Sequence, residues 1–210
     1  MPLNQGQVIR PEAIDSLIAE TVEFVRGTLP PTHPYAKVVV TPTGQIQPQT
    51  WLLGSSGQSA VWAAEHGMDY AYAQFFTGHQ STGIMDHYRA HLADGFPGRT
   101  LSAVCVSAAP TRQDALDQSL MAANFRVSLG TGRPVAFVTA SQMDADTRSL
   151  LTNYVLSNED TIFVGDYDEA ADKLTAFQDA HHVDELMLIS YIDDVQVKVE
   201  QYRQLAKRLI

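Results

Sequence analysis

Apolar residues recur at spacings of three and four over Ile14, Leu17, Ile18, Val22, Val25 and Leu29, the stripe of an amphipathic helix that Pro11 opens and Pro30-Pro31 closes. The period then changes. Thr50-Trp51-Leu52-Leu53 is a short apolar run stopped by Gly54-Ser55-Ser56-Gly57, which predicts a strand over 50–54 and a turn. A helix follows over about Gln58 to His66 and stops at Gly67. The aromatic-rich run Tyr70 to Phe76 predicts a second strand over 70–76.

The alternation continues. Ser81 or Thr82 can cap a helix carrying Ile84, Met85, Tyr88 and Leu92 on one face, and a strand is predicted over 101–106. Thr111 with Asp114 three residues on resembles a capping box, opening a helix with Leu116, Leu120, Ala123 and Phe125 inward that ends around Gly130-Thr131-Gly132. From 133 to 160 the pattern weakens to one apolar patch, Val135 to Val138, and a short helix near Ser149 to Leu156, and the segment reads as an insertion. Asp166 can cap a helix bearing Glu169, with Ala170, Leu174 and Phe177 inward. Glu185 to Ser190 reads as a continuous apolar strand of a parallel sheet covered on both faces, and a last helix turns Val195, Val199, Tyr202, Ala206 and Leu209 inward.

Strands alternating with helices across short turns imply βαβ crossovers and a parallel sheet. The expected fold class is therefore α/β, in a single domain over 1–210. It has four main strands, at 50–54, 70–76, 101–106 and 185–190, with weaker candidates at 38–40, 135–138 and 161–164. Four strands are too few to close a parallel barrel.

Composition narrows the function classes. A formal charge of −10 over 210 residues repels a nucleic-acid backbone, and no basic run reverses it locally. A small anion is still admissible, because a helix N-terminus concentrates backbone N–H groups. Cys105 is the single cysteine, which excludes a disulfide framework and fits the cytoplasm. The first residues lack a signal-peptide pattern and no stretch approaches eighteen consecutive apolar residues, so no membrane partner is expected.

The turn Gly54-Ser55-Ser56-Gly57-Gln58-Ser59 is the strongest candidate site. A chain that leaves a strand, turns on small residues and enters a helix can hold a phosphate on its orphan N–H groups and serine hydroxyls. The same serines can simply cap the helix. A serine-nucleophile elbow is excluded because Gln58 stands where G-x-S-x-G needs glycine, and a dinucleotide fingerprint fails because Ser56 and Ser59 stand at its later glycines. His87 and His91 are four apart on a helix but lack a metalloprotease glutamate, and read as a solvated or interface pair. His181-His182 read as solvent-facing, Asp166-x-Asp168 as a helix cap rather than a calcium loop, and Cys105 as a buried hydrophobe.

Trp51 to Ala60, Ala63 to Met68 and Tyr70 to Ala73, with the later blocks Val164-Gly165-Asp166 and Val183 to Leu188, resemble the bacterial luciferase-like flavin-dependent monooxygenases. The likeness runs from about Ile9 to the end and is to the C-terminal half of that family's (β/α)8 TIM barrel. It implies a flavin mononucleotide (FMN) cofactor held in reduced form, an organic substrate oxidised with oxygen, and a phosphate held by Ser55, Ser56, Gly57 and Ser59. It also implies that the catalytic histidine and much of the flavin platform lie in the half that has no counterpart here. The chain is then an oxidoreductase when the barrel is completed; the alternatives are a shortened relative that binds flavin or phosphate without catalysis, and a fragment with only an interaction role. A half barrel leaves two strand edges and an inner face unpaired. The expected partner is a second copy of the chain or a complementary N-terminal half, burying the inner face near Leu53, Tyr72 and Leu188.

Overall fold

Among the described residues five parallel strands form one sheet, and their register decides which side chains meet the helices: β1 (Trp51–Gly54), β2 (Asp69–Tyr72), β3 (Thr100–Ala109), β4 (Ile162–Asp166) and β5 (Glu185–Ile189). The computed structural model describes residues 10–41, 48–77, 83–132, 134 and 137–210. Helices α1 (Ile14–Arg26), α2 (Gly57–Glu65), α3 (Gln74–Thr77), α4 (Ile84–Ala90), α5 (Arg112–Thr131), α6 (Ala145–Leu156), α7 (Tyr167–Ala180) and α8 (Val195–Leu209) connect and cover them. The expected α/β class holds, with the sheet left open.

The long strand β3 organises the sheet. Leu101 and Ser102 pair with both β2 and β5, so those two strands lie on its opposite edges, and Cys105 to Ala109 pair with β4. Where β2 ends and β4 begins, Gln74 Nε2 donates to Thr161 O at 3.1 Å. The buried Arg126 guanidinium donates to Phe75 O at 3.2 Å, Thr161 Oγ1 at 3.0 Å and Thr161 O at 2.9 Å, tying the two ends together. Strands β1, β2, β3 and β5 thus stand in a row, and among the described residues β1 and β5 each have one free edge.

One face of that row carries the main core. Leu52, Tyr70, Tyr72, Val104, Leu186 and Leu188 pack with Val22 of α1, Ala60 and Ala64 of α2, Met85 and Tyr88 of α4, Leu174 and Phe177 of α7 and Leu205 of α8. Strand side chains alternate between faces, so their neighbours Trp51, Leu53, Ala71, Leu101, Ala103, Met187 and Ile189 point the other way. On that second face α5 and α6 cover only Cys105, Ala109, Ile162 and Val164.

Several expectations are corrected. Tyr72 and Leu188 lie on the helix-covered side, one pleat away from Leu53, which alone of the three faces the open side. Consequently β5 is not buried on both faces: Met187 is 51% exposed. The predicted strand 70–76 stops at Tyr72, and Gln74 to Thr77 turn into α3 because the Gln74 amide is drawn to Thr161. Val38, Val39 and Val40 form no strand and are exposed. The weak candidate 161–164 is a real strand, β4, and 101–106 extends to Ala109 to receive it. In α8 Val195, Val199 and Ala206 face outward, while Gln201 and Leu205 face in, since Gln201 Oε1 accepts the Ala108 N–H of β3 at 2.7 Å. The Ser81 and Thr82 caps and Val135-Ala136 lie outside the described residues.

Candidate functional site

Strand β1 ends at Gly54, and α2 begins three residues later, so the intervening turn must be tight. Ser56 is extended at φ −134°, ψ 158° and caps the helix: its Oγ accepts the Ser59 N–H at 3.2 Å, while Ser59 Oγ accepts the Ser56 N–H at 3.3 Å. Serine is a short partner for that second bond, which draws Ser59 down onto the strand end. A Cβ on residue 54 would lie 2.2 Å from Ser59 Oγ, so glycine is required there. Ser59 Oγ donates to Ser56 O at 2.7 Å and lies 3.2 Å from the Tyr70 hydroxyl, itself 3.3 Å from Gly54 O. Burial pushes the Tyr70 phenol up to about 12, partly offset by the Ser59 bond.

All four predicted site residues therefore come together, but not equivalently. Ser56 and Gly57 are exposed and Ser55 is half-buried, at the C-terminal edge of the sheet, whereas Ser59 points inward and is 8% exposed. In the first turn of α2 the amides of Gly57 and Gln58 have no intrahelical acceptor. The edge that binds ligands in parallel α/β folds here presents outward N–H groups and a hydroxyl.

A residue that sequence reasoning set aside borders the turn. A Cβ on Gly57 would sit 3.6 Å from His87 Cδ2 and 3.7 Å from His87 Nε2, so the imidazole of α4 lies over the start of α2. Sequence spacing paired His87 with His91, and the rings do touch edge to face at 4.5 Å, with His91 Nδ1 2.8 Å from His87 O. Only the packing of α2 on α4 places His87 by the turn, and no local pattern could have signalled it. Among the described residues no group of three or more His, Cys, Asp or Glu side chains is placed to hold a metal ion.

The remaining candidates resolve simply. Asp166 Oδ1 accepts the Asp168 and Glu169 N–H groups at 3.1 and 2.9 Å and is a helix cap. Cys105 is 1% exposed, and burial pushes its thiol up to about 11. His182 is exposed, but His181 is not free in solvent: its ring packs 4.4 Å from Phe177, and burial, then His182, lowers its pKa. A separate cleft of about 320 Å³ opens between α5, α6 and the segment after β5, lined by Gln118, Met121, Arg148, Tyr191 and residues 139–141.

An open parallel α/β sheet with a serine-capped turn at its C-terminal edge defines the class to which this chain belongs. No protein-family model matches it. It is 26% identical over 201 residues to the N-acetyl-S-alkylcysteine monooxygenase of Bacillus subtilis (strain 168), across 93% of this chain and 60% of that protein. Among solved structures it is similar to apo-MsnO8, at 26% identity and a TM-score of 0.72, over 98% of this chain and 65% of the other. The oxygenating constituent of 3,6-diketocamphane monooxygenase from Pseudomonas putida, a type II Baeyer-Villiger monooxygenase in complex with FMN, shares the fold at 16% identity and a TM-score of 0.52, over 77% of this chain and 48% of the other. The chain spans about 60% of the length of the curated relatives it matches. No helix among the described residues is long and apolar enough to cross a membrane.

Proposed function

We propose that this chain carries the flavin-phosphate site of a luciferase-like, FMN-dependent monooxygenase and works as an oxidoreductase when its barrel is completed. The observation that carries this reading is the Gly54–Ser59 turn, whose outward face offers the Ser56 hydroxyl and the first amides of α2 beside the His87 imidazole. Similarity to a curated monooxygenase across nearly the whole chain supports it, as does the fold shared with an FMN complex.

The residues fit a phosphomonoester. Ser56, Gly57 and Gln58 would bind its oxygens, with His87 as a further N–H donor, and the helix dipole favours the negative charge. Ser55 flanks the group. Ser59, held inward by Ser56 and Tyr70, positions the turn rather than touching the ligand. Reduced flavin, if bound there, would supply the activation of oxygen. The cleft at Arg148 and Tyr191, whose wall at residues 139–141 lies in the segment with the least sequence pattern, is the candidate substrate site.

Titration of the full chain with FMN, followed by its visible absorption, tests the reading. FMN binds, and riboflavin, which lacks the phosphate, binds at least about tenfold more weakly, the equivalent of roughly 1.4 kcal/mol. Gly57→Asp keeps α2 folded, since an acid in the first helical turn suits the dipole, but repels the phosphate and abolishes uptake. Protein that stays colourless, or that takes up FMN and riboflavin equally, sinks the phosphate assignment. Oxygen consumption with a flavin reductase and an organic thioether then separates an enzyme from a flavin binder.

A further inference from the structure

The side of the sheet turned away from the main core is unfinished. Register sets Leu53, Ala71, Leu101 and Glu185 in one row across β1, β2, β3 and β5, with Ala103 and Met187 in the row toward the strands' C-termini. Ala71, Leu101 and Ala103 are shielded by neighbours on the same face, Trp51, Phe75 and Ile189. Above them Leu53 is 60% and Met187 51% exposed.

We propose that a second copy of this chain covers this face, closing a barrel across two seams. The strand order fits this occupant. β1, β2, β3 and β5 are four parallel strands with free edges at β1 and β5. A twofold axis parallel to the strands sets β5 of one copy against β1 of the other at both seams and keeps every strand parallel. It yields eight strands, the number at which a parallel barrel closes over an interior filled by side chains. One symmetric contact satisfies both edges and the apolar face together, whereas a single added strand would pair one edge and present another. The same axis puts both Gly54–Ser59 turns at one end of the barrel, where each copy walls the space beside the other's turn. That last consequence rests on the flavin reading; the dimer itself does not.

Sedimentation equilibrium of the full chain measures it directly. The expected mass is that of a closed dimer; Leu53→Glu and Met187→Glu each shift it to monomer, and Leu150→Glu, on the exposed face of α6, leaves the dimer intact. Because Cys105 is buried, Leu53→Cys combined with Met187→Cys provides a second readout. Within one copy these positions are three strand spacings apart, about 14 Å, too far for a disulfide. Oxidation therefore gives a covalent dimer only through the seams. A wild-type monomer, an open series of larger assemblies, or dimers insensitive to both glutamates overturn the proposal. A coloured monomer would sink the dimer and spare the flavin reading, and a colourless dimer would do the reverse.

Discussion

At the scale of single residues, Gly54 shows how little room the turn has. The Ser56–Ser59 capping box brings a side chain to where any Cβ on residue 54 would be, 2.3 Å from Ser59 Cβ. Gly54→Ala must push Ser59 off the Tyr70 hydroxyl and open the cap. Overpacking of this kind costs about 1–3 kcal/mol and loss of a cap about 1 kcal/mol, so the expected denaturation midpoint falls clearly, and phosphate-dependent flavin uptake falls with it. Gly57 has no such constraint, which is why its aspartate variant separates binding from folding. The serines and glycines of this turn were legible in the sequence because their chemistry is local. The inward turn of Ser59 and the approach of His87 were not, because both depend on side chains that arrive from β2 and α4.

Elements are held to one another by a few polar anchors that hydrophobic periodicity does not register. The turn of α8 toward Gln201 is one. Gln201→Leu leaves the Ala108 N–H of β3 without an acceptor, at an expected cost of about 1–2 kcal/mol read from chemical denaturation. A second anchor joins α5, α7 and the approach to β4. Arg112 bonds Glu159 at 2.5 Å and also Glu169, Lys173 bonds both carboxylates at 2.8 Å, and Lys173 Nζ donates to Val164 O at 2.7 Å. Burial pushes the Glu159 and Glu169 carboxyls up, but the bonds from Arg112 and Lys173 outweigh it and both end below the usual 4.5. A carboxyl with a depressed folded-state pKa contributes stability that is complete above its unfolded value and is lost as pH falls through the folded one. Thermal unfolding as a function of pH should therefore show a loss below about pH 4.5 that Glu159→Gln reduces.

For the whole molecule, the alternation of strand and helix was enough to give the α/β class and the order of its main strands, because it is written in short-range pattern. Strand lengths were less legible: β3 outruns its apolar stretch through Ser107 and Ala108, and β5 looked doubly covered because Leu and Met read alike whether or not anything lies above them. The open face was expected through the likeness to half a barrel, but Tyr72 and Leu188 were set on it beside Leu53, since a covered and an uncovered apolar residue are the same letter. What separates them is the register of four strands drawn from across the chain.

That register also sets an order of events during synthesis. β3 is flanked by β2, made about thirty residues earlier, and by β5, for which Leu101 must wait until Glu185 exists. Pairing at such sequence separations is slow, because the closing loop loses entropy before any ladder bond repays it. While the chain emerges from the ribosome, its longest strand, buried throughout in the finished fold, must stay unpaired along one edge until β5 has been translated. Its period of greatest exposure to aggregation, and to chaperones, is the interval between those two strands.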